Sequence, residues 1–342
     1  MSKFNLIGVD LAKSVIDVCC LSPTYKLLSS NTLSRKKFSQ FLAQQAPSLV
    51  IFEACSSAHY WSWIAQKHGH QVKIISAKAT AMFRAGHKTD KNDAIAVAMA
   101  STHPKNKPCP IKSPEQLAIQ LLDRARDHLV TEKTALSNLM RAMLVEFGIV
   151  CPKGFAQLKK SIPEILEDGD NILPDLLRPV LFQLLERFIG LENECKKFDK
   201  QVKQVSQQVE PCQRLQKLEG VGMIGSNLLY ATIGSAHAFK NGRETAACIG
   251  VTPKQHSSGG KVIIKGIGRT ANTRLRSVLI QGARSVVHKL KTQQSAKTET
   301  QRWLWGIIQR SGYGQAAVAL ANKNVRIAWA MLRTGEQYQS AA

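Results

Sequence analysis

No pair of the eight cysteines, Cys19, Cys20, Cys55, Cys109, Cys151, Cys195, Cys212 and Cys248, has Cys-x-x-Cys spacing. That absence argues against a zinc site. Their scatter along a chain with no signal peptide points to reduced, mostly buried thiols in a cytoplasm. There is also no apolar run of membrane-spanning length and no lipidation motif. Acid is scarce: 24 Asp plus Glu stand against 47 Lys plus Arg, a formal net charge of +23. Such an excess is the footprint of a polyanionic partner. The basic residues are spread along the chain and not gathered into one amphipathic segment, so nucleic acid is favoured over a membrane surface.

At 342 residues the chain is long enough for two or three domains, each with its own core. Its first third alternates apolar runs with helical spacings. Leu6-Ile7-Gly8-Val9-Asp10 is an apolar run that ends in an acid, Val15 to Leu21 reads as a second strand, and Lys26 to Leu33 as a third. Lys36 to Gln45 has helical spacing through Phe38, Phe41 and Leu42. Leu49-Val50-Ile51-Phe52 reads as a buried strand and ends at Glu53. Tyr60 to His68 reads as helix and Val72 to Ile75 as strand. This order predicts a mixed α/β sheet.

Asp10 and Glu53 are each the first acid after an apolar strand, and the carboxyl ends of strands in an open α/β sheet are where ligands collect. A third acidic segment, Lys88-Thr89-Asp90-Lys91-Asn92-Asp93-Ala94, opens a small-residue helix that runs on to Ala100. A helix start near Thr89 or Asp90 puts Asp90 and Asp93 on one face. Two carboxylates so placed repel unless a cation or a proton lies between them. Singly, each acid has a bland account, as a first-turn residue favoured by the helix dipole or as a turn-capping strand end. Four together in a chain of charge +23 ask for a divalent metal, and carboxylate oxygens suit Mg2+ or Mn2+. Two such ions, roughly 3.5–4 Å apart, can hold a phosphodiester and polarise its attacking and leaving oxygens.

Gly8-Val9-Asp10, Phe52-Glu53-Ala54 and the segment from Lys88 to Ala94 resemble the DEDD tetrad of RNase H-like, RuvC-like nuclease domains. In particular they resemble insertion-sequence transposases related to the Piv/MooV DNA invertases, the bridge-RNA-guided recombinases. The resemblance implies an RNase H-like domain over residues 1–112, with Asp10, Glu53, Asp90 and Asp93 as metal ligands and catalytic residues.

Pro108, Pro110 and Pro114 mark a linker. Residues 113–210 then read as a helical, coiled-coil section. Glu115 to Phe147 contains no Pro or Gly, and Leu122, Leu129, Leu136 and Met143 recur every seven residues. Leu184, Phe188, Leu191, Cys195, Phe198, Val202, Val205 and Val209 form an a/d seam. It could fold back on the first helix or pair with a second subunit. Pro152 to Pro179 reads as loop and short helix.

Residues 211–334 read as a mainly α domain. Leu218-Glu219-Gly220-Val221-Gly222 enters a helix and resembles the helix-hairpin-helix signature, in which the backbone at Gly220 and Gly222 would meet a phosphate. The plain alternative is a tight glycine turn between packed helices. The stretch Gly250 to Lys261 holds Ser257, Ser258, Gly259 and Gly260, by composition an exposed turn. Lys261, Lys265, Arg269, Arg274 and Arg276 follow as a basic loop and helix, a candidate phosphate-tracking surface. Leu218 to about Val287 resembles the second domain of the same family, where a Pro-x-x-x-x-Ser-Gly pattern carries a nucleophilic serine. Laid on Pro253, that pattern makes Ser258 the nucleophile, with Ser257 its competitor. His256 is either its base or a bystander. Residues 335–342 read as a loose tail.

The resemblance implies a DNA recombinase that cuts and rejoins the strands of an insertion sequence through a covalent phosphoserine, in the cytoplasm of a bacterium and at its nucleoid. It further implies a guide (bridge) RNA, and a site composed from different subunits of a homodimer or tetramer. Two rival readings use the same residues. A metal-dependent junction-resolving endonuclease would form no covalent intermediate, and a non-catalytic nucleic-acid binder would keep only the fold.

Overall fold

Five short strands in the first 75 residues set up the frame for the acids. A computed structural model describes residues 5–85, 87, 89–268, 272–293 and 296–339, so Lys88 and Arg269 lie outside the described residues. The strands are β1 (Leu6–Leu11), β2 (Val15–Leu21), β3 (Leu27–Ser34), β4 (Leu49–Glu53) and β5 (Gln71–Ile75), in sheet order β3-β2-β1-β4-β5. The opening meander makes β2 antiparallel to both β1 and β3, while β1, β4 and β5 run parallel. Helices α1 (Arg35–Gln44) and α2 (Ala58–Lys67) supply the crossovers. Ser34 caps α1, its hydroxyl accepting from the Lys37 amide. Side chains alternate across a strand, so each strand feeds two cores. Ile7, Val9, Ile16, Val18 and Phe52 pack with Phe38, Leu42 and Trp61 of α1 and α2. Leu6, Cys19, Leu21, Ile51 and Ile75 face the other way, against Ala94, Val97 and Ala98. Those three belong to α4 (Asp90–Ala100), which follows the short α3 (Ala77–Ala81).

The chain divides into two units, Met1–Ser113 and Pro114–Ala342. The second is almost wholly helical: α5 (Pro114–Val145), α6 (Phe155–Glu167), α7 (Arg178–Gln208), α8 (Glu210–Leu215), α9 (Met223–Ile233), α10 (Gly242–Ile249), then the hairpin β6 (Pro253–Gln255) and β7 (Ile264–Ile267), then α11 (Thr273–Gln293), α12 (Glu299–Ser311) and α13 (Tyr313–Thr334). The long α5 and α7 pair antiparallel. Arg126 meets Asp199 at 2.6 Å and Arg187 meets Glu132, so position rises along one helix as it falls along the other. Leu136, Met140 and Leu144 pack on Leu181, Leu185, Phe188 and Leu191, with α6 covering them through Leu158 and Ile162. Phe188, Leu191, Cys195 and Val202 of the a/d seam are therefore buried within one chain.

A second core joins α9, α11, α12 and α13 through Leu228, Leu279, Ala283, Leu304, Leu320 and Val325. Tyr338, in the stretch expected to be a loose tail, packs against this core, because its ring can still bury apolar surface there. Cys19, Cys20, Cys151, Cys195 and Cys212 are buried and form no disulfide. No helix among the described residues is long and apolar enough to cross a membrane.

Candidate functional site

The acidic site of the first unit is built by one close approach. A Cβ at Gly8 would lie 2.2 Å from the Ala94 carbonyl oxygen and 2.8 Å from the Ala98 Cβ. Helix α4 therefore lies directly on the backbone of β1, and only a glycine at position 8 lets it do so. The alanines of α4 serve the same contact from the other side. Thr89 caps the helix, its Oγ1 accepting from the Asn92 amide at 3.3 Å. The cap puts Asp90 and Asp93 in the first turn. Asp10, two residues beyond Gly8, points to the same face of the sheet. The result is that Asp10, Asp90 and Asp93 each offer a carboxylate oxygen within 4.8 Å of the others.

Glu53 closes β4, which runs parallel to β1 with Phe52 opposite Val9. It shares the face of Ile51, which packs under α4. Its charge is felt at Asp10, but it stands outside the group of three that converge within 4.8 Å. Asp10 is pushed up from 3.8 to about 6, first by burial, then by the charges of Asp93, Glu53, Asp90 and Asp17. Among the described residues, every charge that acts on this carboxyl is negative. An oxygen-only donor set of this kind matches a hard divalent cation such as Mg2+ or Mn2+, and a cation there would reverse the upward shift. Among the described residues no His or Cys joins the cluster.

Two neighbours of the acids were not foreseen. Arg84, nine residues before Asp93, donates from Nε to Asp93 Oδ1 and partly neutralises it. Asp17 sits opposite Asp10 on β2 and is held by the Thr32 hydroxyl at 2.5 Å. Neither stands at a strand end or a helix start, so no local pattern marks it. Gly8 did carry a signal, since a glycine inside an apolar strand indicates close backbone approach.

The serine segment of the second unit is a hairpin tip. Ser258 and Lys261 pair across a two-residue loop, with the Lys261 amide donating to the Ser258 carbonyl at 3.0 Å. The loop residues Gly259 and Gly260 have φ of +53° and +78°. Positive φ at both positions is what a type I′ turn needs, and it explains the glycine pair. Ser257 Oγ accepts from Gln255 Nε2 at 2.9 Å. Ser258 Oγ, exposed at the tip, has no such bond among the described residues. His256 is tied by its backbone amide to Ile263 at 2.8 Å, with its side chain exposed.

The basic residues divide. Lys261 and Lys265 are exposed on the hairpin. Arg274 makes a two-pronged bond to Asp123, 3.0 Å from both Nε and Nη2, and meets Asp127 at 2.8 Å. Its charge is thus met by two carboxylates of α5. Arg276 donates to the Gly268 carbonyl. Gly220 (φ +83°) and Gly282 touch: a Cβ on Gly282 would lie 1.9 Å from the Gly220 carbonyl oxygen. Gly220 thus serves the packing of α11 across a tight turn. Gly222, the N-cap of α9, has open space where a Cβ would sit.

Two family models match this chain. One, described as Transposase and named for the DEDD transposase domain of IS110, covers residues 7–149 and so spans the four acids. The other, described as Transposase IS116/IS110/IS902 family, covers residues 212–299 and spans the serine hairpin. The transposase for insertion sequence element IS1111A of Coxiella burnetii is 32% identical over 342 residues, covering 100% of this chain and 93% of that protein. The transposase for insertion sequence element IS1328 of Yersinia enterocolitica is 33% identical over 342 residues, covering 98% of each.

Proposed function

We infer, because the chain belongs to the IS116/IS110/IS902 transposase family, that its two units divide the work of cutting and rejoining the DNA strands of an insertion sequence. The first unit is RNase H-like, and Asp10, Asp90 and Asp93 hold Mg2+ or Mn2+ there, with Glu53 at the same edge. The cation, when bound, supplies Lewis-acid charge beside a phosphodiester. The single observation that carries this reading is the meeting of Asp10, Asp90 and Asp93 carboxylates within 4.8 Å on a strongly basic chain. The strand order, a three-stranded meander followed by two parallel crossovers, supports it.

Ser258 is the nucleophile. Its Oγ attacks the phosphorus, an Oγ–P bond forms and the P–O3′ bond breaks. The serine proton passes to solvent or a nearby base, and the departing 3′ oxygen takes up a proton. The product is a 5′-phosphoserine and a free 3′ hydroxyl, which keeps the bond energy for rejoining. Support for Ser258 over Ser257 comes from the hydrogen bond that engages only Ser257. A guide RNA, and a dimer or tetramer that pools acids and serines from different subunits, belong to the same proposal. So does a working place at the bacterial nucleoid.

The test is a cleavage reaction on DNA carrying the element's ends, with co-purified RNA retained. Cutting is expected to require Mg2+ or Mn2+ and to leave protein covalently on the 5′ end. Ser258→Ala should lose the adduct, and Asp90→Asn should lose cutting. Metal-dependent cutting with no adduct would remove Ser258 and leave the acids to activate water. Cutting that survives a chelator would remove the metal.

A further inference from the structure

A cleft in the second unit, about 1500 Å³, contains none of the four acids and neither Ser257 nor Ser258. Its walls are α10, α12 and α13, and the two strands of the serine hairpin close one side through Pro253 and Ile264 to Ile267. It exceeds the roughly 300–1,000 Å³ of small-molecule pockets. Among the described residues, four cations line it, Arg243, Lys265, Lys323 and Arg326, and no carboxylate does. Two indoles line it as well. Trp329 directs its Nε1 to the Phe239 carbonyl at 3.3 Å, so its ring is left to serve as apolar wall. Trp303 is 38% exposed, an unusual position for the largest apolar side chain. The Lys323 ammonium lies 4.7 Å from the Trp303 ring centroid. Ring and cation are thus presented together, which are the two partners that the base and the phosphate of one nucleotide require.

We propose that this cleft binds unpaired nucleotides, a single-stranded stretch of DNA or RNA whose bases stack on Trp303 and whose phosphates meet Arg243, Lys265, Lys323 and Arg326. A duplex would not use it in this way, because its base faces are already stacked on one another and only its phosphates face outward. A strand lying here runs against the base of the hairpin whose tip carries Ser258. The proposal rests on the chain's acting on nucleic acid, and on neither the carboxylate site nor the identity of the nucleophile.

The full-length protein is titrated with three fluorescent probes: a twelve-residue oligothymidylate, an oligouridylate of equal length, and a mixed-sequence DNA duplex. Trp303→Leu is expected to weaken single-strand binding about tenfold, leaving duplex affinity and the melting temperature in place. Trp303→Phe, which keeps a ring, should restore most of the loss. Gly314→Phe tests the space itself. Gly314 lines the cleft, a Cβ there meets nothing within 4 Å, and its φ is not left-handed, so a side chain added there starts from open space at the cleft wall. It should weaken single strands as Trp303→Leu does. Arg243→Ala should lower the slope of log affinity against log salt by about 0.7. Whichever single strand binds more tightly identifies the source, DNA or RNA, and equal binding means the cleft reads only their shared chemistry. Losses equal for duplex and single strand, or no loss in either Trp303→Leu or Gly314→Phe, would overturn the proposal. A protein that binds neither probe class would overturn the nucleic-acid reading as a whole, whereas one that binds only duplex sinks this proposal alone.

Discussion

The acids and the serine are held by opposite means. Asp10, Asp90 and Asp93 sit where a capped helix lies on the backbone of a buried strand, so their spacing is set by packing and cannot change unless α4 moves. Ser258 stands on a two-residue turn of a two-stranded hairpin, where Val262, Ile263 and Ile264 are exposed. A hairpin of two strands has little stability of its own. Placing like charges close together costs free energy and needs a stiff frame. Delivering a hydroxyl to a phosphodiester needs an unobstructed tip. The contrast teaches that substitutions in the first region should act through stability and metal, and those in the second through chemistry alone.

Gly8→Val tests the frame hardest. The added side chain would overlap the Ala94 carbonyl and the Ala98 methyl. Overpacking of this kind typically costs about 1–3 kcal/mol, and here the obstacle is backbone. Melting temperature should fall, and DNA cutting should be lost as α4 lifts its two acids from Asp10. Unchanged melting and cutting would break the claim that packing sets the acid spacing.

Asp10→Asn should act in the opposite direction on stability. A carboxyl raised from 3.8 to about 6 binds more protons folded than unfolded between those values. The contribution of this one carboxyl to the metal-free fold is therefore most favourable at low pH and turns unfavourable as pH rises through that window. At pH 7.5 without metal, Asp10→Asn should melt at or above the wild-type temperature while cutting is abolished. Added Mg2+ should raise the melting temperature of the wild type and not of the variant. An equal Mg2+ response in both would break the site.

Gly259→Ala and Gly260→Ala test the hairpin. A left-handed φ costs a non-glycine residue roughly 1–2 kcal/mol, charged to a turn on which no core depends. Adduct formation should drop with no change in global melting. A drop in melting temperature comparable to that of Gly8→Val would erase the distinction between the two regions.

How much of this was legible beforehand follows the range of the cause. β1 and β4 were readable because each is an apolar run closed by an acid, and the start of α4 because Thr89 precedes a run of small residues. The mixed sheet and the helical remainder follow from the same local patterns. What they omit is which surfaces meet. The heptads of α7 were plain, yet the same seam serves an intrachain or an intersubunit partner, and only the burial of Phe188 and Leu191 against α5 shows the former. Arg274 looked like one of a run of cations because Asp123, which binds it, is 151 residues away. The packing role of Gly220 is hidden because Gly282, which presses on it, belongs to another helix. The cleft around Trp303 is assembled from separate segments and leaves no periodic trace in any one of them.

The smallest expected effect separates the two serines. Ser257→Ala removes one exposed hydrogen bond, from Gln255, and no buried group is left unpaired by it. An exposed bond of this kind contributes under about 1 kcal/mol, so melting should not move measurably. Adduct yield should stay within about twofold of wild type, because the hydroxyl at position 258 and its Gly259-Gly260 turn are untouched. Ser258→Ala is just as silent in melting but should give no adduct at all. The two variants differ by one position on an exposed loop and share every bulk property. A difference between them can therefore come only from which oxygen attacks. If Ser257→Ala abolishes the adduct and Ser258→Ala retains it, the nucleophile is the serine held by Gln255, and that hydrogen bond orients the attacking group.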